Sequence, residues 1–253
     1  MKKLIKNILK NKGYEIRRSA MYSQEQKVTR EDFFNLYFST VDPENFCFVQ
    51  AGANDGVSND PIHKYIAKYK LKGVTLEPQP RLFAKLQKNY IGYPVKPIMA
   101  GLGPVSGDIS FYSVKKFVFE NLPSEASKVR LSAMASFDKD RIIAVIENEV
   151  MNKMGMKGTV EDFLDIRKVP VLTFNELCEK NDIDHVDFIQ LDIEGLDWQV
   201  LKTVDIKKYN PTVINIETQC LSKEGHNEVE KFLTDHGYNF FYDIADICAY
   251  KIK

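Results

Sequence analysis

Hydrophobic residues in this chain alternate between short runs, typical of buried strands, and longer stretches in which apolar side chains recur at helical spacing. Strands are predicted at residues 47–51, 73–77, 95–100, 109–113, 169–172, 186–191 and 212–216. The alternation predicts an α/β fold with a doubly wound, mostly parallel sheet and helices on both faces. Residues 238–242 and 247–252 close the chain and predict an antiparallel pair of strands.

The stretches between the strands predict helices that begin and end at recognisable capping residues. They lie at residues 31–38, 61–69, 81–90, 174–180, 198–204 and 227–236. Thr29 and Thr173 are placed to cap two of them, and Gly237 suits the position after the last. Residues 114–168 break this rhythm as a charged, methionine-rich insertion with no clear strand and with helices predicted at 138–150 and 160–166.

Polar residues follow four of the predicted strands at the point where each strand ends. The loop 52–56 follows the first strand, Glu77 the second, Asp192 and Glu194 the strand that ends at residue 191, and Glu217 the next. Ligands of such sheets bind outside the carboxyl ends of the strands, where the strand order reverses. We therefore expect these residues to line one cleft.

The loop Gly52-Ala-Asn-Asp-Gly56 has the character of a nucleotide-binding turn. Gly52 lets the backbone turn sharply and lets a ligand lie against the main chain. Glu77 stands at the tip of the second strand, where an acid accepts hydrogen bonds from ribose hydroxyls. An ordinary β-turn with Asn and Asp as turn residues is the alternative interpretation of the loop.

The loop favours S-adenosylmethionine over NAD. It lacks the third glycine and the basic partner that a pyrophosphate needs, and it is acidic and rich in amides. Such a loop suits an adenosine that carries a sulfonium and an ammonium group. The expected cofactor contacts are Gly52, Ala53, Asn54, Asp55, Gly56, Glu77 and Asp192.

The catalytic candidates are Asp192, Glu194 and His226. Methyl transfer from a sulfonium requires an aligned acceptor oxygen and removal of its proton, which a carboxylate in a cleft can accept. The carboxylates can alternatively hold a divalent cation, which we do not favour. Another alternative is that Asp192 only caps the next helix. His226, expected in a loop near Glu217, is the preferred histidine, although His63 can also face the cleft.

Composition excludes several other classes of protein. Acidic and basic residues are equal at 35 each, which gives no support for a nucleic-acid partner. The four cysteines lie in apolar contexts without metal-ligand spacing and are expected to be reduced core residues. No apolar run is long enough to cross a bilayer and no signal peptide is recognisable, so we expect a cytoplasmic protein.

Residues 1–24 form a basic segment that is separate from the domain expected over 25–253. Leu4, Ile5, Ile8 and Leu9 give it an apolar helical stripe among lysines. We favour packing of this stripe on the domain or on a second subunit. The alternative is weak contact with an anionic membrane surface.

Several of these segments resemble the FkbM family of S-adenosylmethionine-dependent methyltransferases. They are the loop 52–56, Glu77-Pro78, residues 133–138, Leu191-Asp-Ile-Glu-Gly195 with Val200-Leu201, Pro211 with Glu217, and Gly237-Tyr238. The resemblance runs from about residue 46 to the C-terminus. It implies a class I methyltransferase fold and O-methylation of hydroxyls, commonly on sugars or natural-product scaffolds. It also implies that the insertion 114–168 shapes the choice of acceptor.

The leading hypothesis is therefore an S-adenosylmethionine-dependent O-methyltransferase that acts on a hydroxyl of a saccharide or glycan precursor. Ser136, Asp138 and Glu217 are the expected acceptor contacts. One alternative is transfer to a phosphate-type oxygen or to a small-molecule hydroxyl. Another is a catalytically inactive methyltransferase-like scaffold in glycan assembly.

Overall fold

The computed structural model describes residues 28–120, 122 and 124–252. The basic segment predicted at residues 1–24 lies outside the described residues. Within the part of the chain that is described, no helix has both the length and the apolar character needed to cross a membrane.

Seven strands form the main sheet, in the spatial order β10-β11-β9-β8-β1-β2-β3. Numbered along the chain, they are β1 (Cys47–Ala51), β2 (Lys72–Leu76), β3 (Val95–Ile98), β8 (Phe188–Leu191), β9 (Val213–Glu217), β10 (Asn239–Asp243) and β11 (Asp246–Tyr250). All pairs are parallel except those that involve β11, which runs antiparallel to both neighbours. The predicted doubly wound, mostly parallel sheet with an antiparallel C-terminal pair is confirmed.

A second sheet of four strands has the order β4-β7-β5-β6. Its strands are β4 (Gly101–Leu102), β5 (Gly107–Val114), β6 (Ala135–Ser136) and β7 (Leu164–Leu172). The strands predicted at 109–113 and 169–172 both belong to it, and β5 pairs with β7 in antiparallel register from Gly107↔Val171 to Val114↔Leu164. The expectation that the insertion contains no strand was therefore wrong. Charged residues such as Arg167 and Lys168, exposed in β7, hide the strand pattern, and pairing with β5 decides the conformation.

The helices lie around and between these strands. They are α1 (Arg30–Phe38), α2 (His63–Tyr69), α3 (Pro80–Asn89), α4 (Lys116–Glu120), α5 (Glu125–Ala133), α6 (Lys139–Val145), α7 (Val160–Phe163), α8 (Phe174–Lys180), α9 (Asp197–Leu201), α10 (Ile206–Tyr209) and α11 (Lys223–Asp235). A π-helical segment, Ile146–Lys153, continues α6. The helix predicted at 160–166 ends at Phe163, and the sequence interpretation missed α4 and α5 entirely. Thr29 and Thr173 cap α1 and α8 as predicted, and Gly237 follows α11 with φ +80°.

Alternate residues of each main-sheet strand bury against two different helical layers. One face, which includes Val49, Ile189 and Ile214, packs against residues of α8, α9, α10 and α11. The other face carries an aromatic cluster in which Phe34 and Phe38 of α1 lie 5.3 Å from Phe188, ring centroid to ring centroid. This packing fixes α1 over the sheet and sets the position of its first residue, Arg30.

The insertion buries its own side chains in separate clusters. Ile142, Ile146 and Val150 meet Leu131 and Phe163 in one of them, and partly buried methionines pack around it. Three of the four cysteines are buried as expected. Cys220 is exposed, so its assignment to the core was wrong; it lies in the loop after β9 rather than within an element.

Gly52 and Gly92 have nearly equal φ angles but different surroundings. Replacing each by alanine therefore tests how tightly the turn after β1 is packed. Gly52 has φ +78°, and a Cβ added there would lie 1.8 Å from the main-chain oxygen of Asp192. Gly92 has φ +80° with nothing within 4 Å of the same point. We expect Gly92→Ala to lower the free energy of unfolding by about 1–2 kcal/mol, the cost of a left-handed conformation. Gly52→Ala should cost at least about 2 kcal/mol more, because the backbone must also move.

Urea denaturation of the two variants measures this difference. The unaltered protein is the reference, and Gly92→Ala is the matched control for backbone strain alone. Equal losses of stability in the two variants would show that the turn has room for a side chain.

Candidate active site

The topology gathers the predicted strand-end residues at one edge of the main sheet. Strands β9, β8, β1 and β2 are neighbours, and the three pairs they form are parallel. Their carboxyl ends therefore lie side by side. Glu217, Asp192, the loop 52–56 and Glu77 follow one another across this edge.

The loop 52–56 is held against the two strands that flank β1. The amides of Gly52 and Ala53 both donate to the carbonyl oxygen of Leu76, at 3.1 and 3.0 Å. Gly52 also packs directly against the main chain at Asp192. Gly52, Asn54 and Gly56 all have positive φ angles, which explains the choice of glycine and asparagine in this turn.

Glu77 connects the loop 52–56 with the loop after β2. Its side chain is only 4% exposed, and its two oxygens accept hydrogen bonds from the amides of Asn54 (3.0 Å) and Gln79 (2.8 Å). Burial raises the pKa of Glu77 to about 8, against the effect of those two bonds. Each oxygen has a further lone pair, so Glu77 can hold both loops and still accept from a ribose hydroxyl.

Asp55 shapes the same loop from within. Its carboxylate accepts from the amides of Val57 (3.0 Å) and Ser58 (2.7 Å) and from the Ser58 hydroxyl (2.8 Å). Burial alone would raise the pKa of Asp55, but these hydrogen bonds outweigh it and the pKa lies below its ordinary value. The side chain of Asp55 is thus engaged in the fold of the loop, and its predicted contact with the cofactor stays a prediction.

Asp192 and Glu217 form the centre of a group of carboxyls at the ends of β8 and β9. Desolvation raises the pKa of Glu217 to about 8, and the charges of Asp192 and Glu194 add to the effect. Oxygen Oε2 of Glu217 is buried without a hydrogen-bond partner. Asp192 is exposed, yet the surrounding protein and the charges of Asp197 and Glu194 raise its pKa to about 7. Both groups can therefore hold or release a proton near neutral pH.

Asp197 is a residue that the sequence interpretation missed. Its carboxylate accepts from the amides of Ile193 (2.9 Å) and Gly195 (3.1 Å), which orders the turn in which Glu194 adopts φ +58°. The alternative interpretation made Asp192 the cap of the next helix, but α9 begins after Leu196 with no side-chain cap hydrogen bond. The signal was present, since an acid two residues beyond Gly195 in a strand-to-helix turn is well placed to bind free amides.

Residues from the insertion complete a cleft of about 390 Å³ beside Glu194. It is lined by Asp138, Arg141, Glu194, Gly195, Gln219 and Cys220. The Ser136 hydroxyl donates to the carbonyl of Glu194 (2.9 Å) and accepts from the amide of Asp138 (3.0 Å). Asp138 in turn caps α6, which carries Arg141.

Arg141 pairs with the carboxylate of Glu194 and contacts the Cys220 sulfur. The predicted acceptor residues Ser136 and Asp138 thus support this cleft, with Asp138 in its lining and Ser136 behind it. The sequence suggested Arg141 only as one of several polar residues of the insertion able to meet a ligand, because a single arginine among many charged residues gives no signal of a specific role.

The two candidate histidines, His226 and His63, make no hydrogen bond to the strand-end carboxyls among the described residues. His226 lies in the first turns of α11 and not in a loop as expected, because Ser222 caps the helix at Lys223, upstream of the predicted start. Its ring is 6.0 Å from that of Tyr242, and among the described residues no hydrogen bond joins it to a strand-end carboxylate. His63 begins α2, and its Nδ1 is buried without a partner. Neither position adds to the case for a histidine base.

Metal binding finds no support in the described residues. Across 28–120, 122 and 124–252 no group of three or more His, Cys, Asp and Glu side chains is arranged to hold an ion.

The comparison with known proteins identifies the family. The model of the methyltransferase FkbM domain matches residues 50–240, more than half of the chain. The chain therefore belongs to the FkbM methyltransferase family, for which S-adenosylmethionine is the general methyl donor. No curated protein matches the chain.

Two solved structures are similar to it in fold. A methyltransferase FkbM from Methylobacillus flagellatus KT shares 16% identity and a TM-score of 0.45, with 84% of this chain and 48% of that chain covered. The chain thus spans about half the length of that protein. A precorrin-6y C5,15-methyltransferase from Geobacter metallireducens GS-15 shares 11% identity and a TM-score of 0.40, with 93% and 94% covered.

The raised pKa values of the buried carboxyls predict how stability depends on pH. The folded protein binds a proton on Glu217 more tightly than the unfolded chain, where the ordinary pKa is 4.5. The stabilisation is fully present below that ordinary value and is lost as pH rises through about 8. Glu217→Gln removes the titrating group, so its free energy of unfolding should fall less steeply between pH 5 and pH 8.5.

Urea denaturation across this pH range measures both slopes. Glu44→Gln, at an exposed carboxylate far along the chain from the cleft, is the matched control and should keep the slope of the unaltered protein. Identical slopes for Glu217→Gln and the unaltered protein would contradict the raised pKa of Glu217.

Proposed function

We propose that the protein transfers the methyl group of S-adenosylmethionine to a hydroxyl of a saccharide or glycan precursor. One observation carries the proposal: the loop 52–56 and Glu77 lie at the same sheet edge as Asp192 and Glu217, two carboxyls that titrate near neutral pH. The first pair of features suits a nucleoside, and the second suits removal of a proton from an acceptor.

The residues of the cleft fit this cofactor. The missing side chain of Gly52 accommodates the main chain at Asp192, so the fit to a nucleoside depends on the turn at Asn54 and on Glu77, which has lone pairs for the ribose hydroxyls. The carboxyls of Asp192 and Glu217 suit the sulfonium and ammonium groups. When bound, the cofactor supplies an electrophilic methyl group.

Asp192 is the proposed general base. It is exposed at the carboxyl end of β8, and its pKa of about 7 lets it be ionised before the reaction and protonated after it. Glu217 lies beside it, more buried, and its charge state tunes that of Asp192. An acceptor hydroxyl that donates a hydrogen bond to Asp192 would be held with its oxygen toward the methyl group.

Charge at the cleft favours a neutral hydroxyl acceptor over a phosphate. Asp138 and Glu194 line the cleft, with Arg141 as the cation among its lining residues, and Glu194 already pairs with Arg141. Asp192 adds negative charge nearby once it is ionised, and Glu217 does so as the pH rises through about 8. A phosphate would meet these like charges, whereas the hydroxyls of a saccharide can donate to them. The insertion 114–168 is the proposed acceptor-binding element because it supplies Asp138 and Arg141.

Cofactor selectivity is the first test. A ligand at about a hundred times its Kd stabilises a native protein by about 2.7 kcal/mol, which raises the melting temperature measurably. We expect S-adenosylmethionine and S-adenosylhomocysteine to raise it and NAD to leave it unchanged. Glu77→Ala should reduce the rise through lost hydrogen bonds, and it should also lower stability without ligand, since two amides lose their acceptor. A rise with NAD alone would overturn the assignment of the loop.

Turnover of an Asp192 variant tests the chemistry. The assay incubates protein and radiolabelled S-adenosylmethionine with neutral saccharides and with their phosphorylated counterparts. Asp192→Asn should keep cofactor affinity within a few-fold while turnover falls by about 10²–10⁴-fold, as for loss of a general base. In the unaltered protein, turnover should rise as pH passes through about 7.

Asp184→Asn, at an exposed residue outside the cleft, is the matched control and should retain full turnover. Near-normal turnover of Asp192→Asn would exclude Asp192 as the base. Labelling of phosphorylated but not neutral acceptors would contradict the charge argument.

A further inference from the structure

Arg30 is held at the edge of the sheet that carries the cleft. It is the first residue of α1, and its amide donates to Oδ2 of Asp243 at 2.9 Å. Its guanidinium pairs with the carboxylate of Asp246, and its side chain remains 30% exposed. A guanidinium has five N–H donors, so this ion pair leaves donors for a further partner.

A chain of buried polar groups fixes Arg30 relative to Asp192. Asp246 also accepts from the side chain of Asn215 (2.9 Å), which donates in addition to Gln190 (3.0 Å). Asp246 stands opposite Glu217 in the strand register, and Gln190 lies two residues before Asp192. The guanidinium is therefore anchored beside the carboxyl ends of β9 and β8.

The cofactor of the proposed reaction has one group that the carboxyls of this cleft cannot bind. Its amino-acid portion carries a carboxylate, which Asp192, Glu194 and Glu217 would repel. Two arginines, Arg30 and Arg141, act on Asp192 and lower its pKa, so both lie within reach of its charge. Arg141 is engaged with Glu194 and Cys220 on the side of the insertion. Arg30 is held instead by α1 and by its contacts with Asp243 and Asp246.

We propose that Arg30 binds the carboxylate of the cofactor's amino-acid portion, with Asp246 as the residue that positions its guanidinium. A planar guanidinium matches a carboxylate through two parallel hydrogen bonds. The inference rests on the proposed function, because it assumes that S-adenosylmethionine binds in this cleft. It assigns to α1 a direct part in cofactor binding, although α1 precedes the residues that match the family.

The test compares two ligands that differ in this carboxylate alone. S-adenosylmethionine and its decarboxylated analogue are titrated calorimetrically into the unaltered protein and into two variants, Asp246→Asn and the double variant Arg30→Met with Asp246→Asn. Both variants lack the ion pair, so they differ only in the presence of Arg30 and neither leaves a buried charge unpaired. The double variant should bind S-adenosylmethionine about 10- to 100-fold more weakly than Asp246→Asn. The two should bind the decarboxylated analogue equally.

Arg30→Lys provides a variant that keeps the charge and can keep the ion pair. It should show a smaller loss for S-adenosylmethionine than the double variant, and no loss for the analogue. Equal weakening of both ligands would make Arg30 a support of the fold and overturn the proposal, as would unchanged binding of S-adenosylmethionine. Binding of neither ligand by the unaltered protein would instead overturn the proposed function.

Discussion

The close contact between Gly52 and the main chain at Asp192 is the constraint on which the cleft depends. Because no side chain intervenes, the turn after β1 reaches the turn after β8, and the amides of Gly52 and Ala53 can bind the end of β2 at the same time. Glu77 then links the loop 52–56 to the start of α3 through Asn54 and Gln79. Three strand ends are thus fixed relative to one another by backbone contacts and one buried carboxyl.

Burial of acids within this frame determines the chemistry available to the cleft. Glu77, Asp192, Asp197 and Glu217 all have raised pKa values, for which desolvation is the first cause. Glu77 and Asp197 direct their oxygens to backbone amides, so they order the turns. Asp192 and Glu217 make no such bonds in the described structure, and the charge of Asp192 acts on Glu217. Acidic residues therefore order the turns in the first pair, Glu77 and Asp197. In the second pair, Asp192 and Glu217, they are available to exchange a proton.

The sequence was sufficient for the main sheet because its strands are short apolar runs bounded by clear turn residues. The four strand-end features could be placed together for the same reason, since parallel strands share one carboxyl edge. Local sequence patterns did not predict the full length of β7, because this strand carries charged residues at its exposed positions and is formed by long-range pairing with β5. They also failed for Asp197 and Arg141, whose importance arises from partners distant in space or hidden within a turn. His226 was placed wrongly because the cap of α11 at Ser222 lies four residues upstream of it.

The insertion packs into two hydrophobic clusters that are distinct from the two covering the main sheet; one consists mainly of its own residues and the other is shared with β5 and β7. Substitutions inside those clusters can reshape the walls around Asp138 and Arg141 while the packing beneath the loop 52–56 stays the same. In the proposed reaction, the part of the chain that receives the methyl donor is thus separate from the part that selects the acceptor. Such modularity lets one scaffold acquire new acceptors during evolution without rebuilding its donor site.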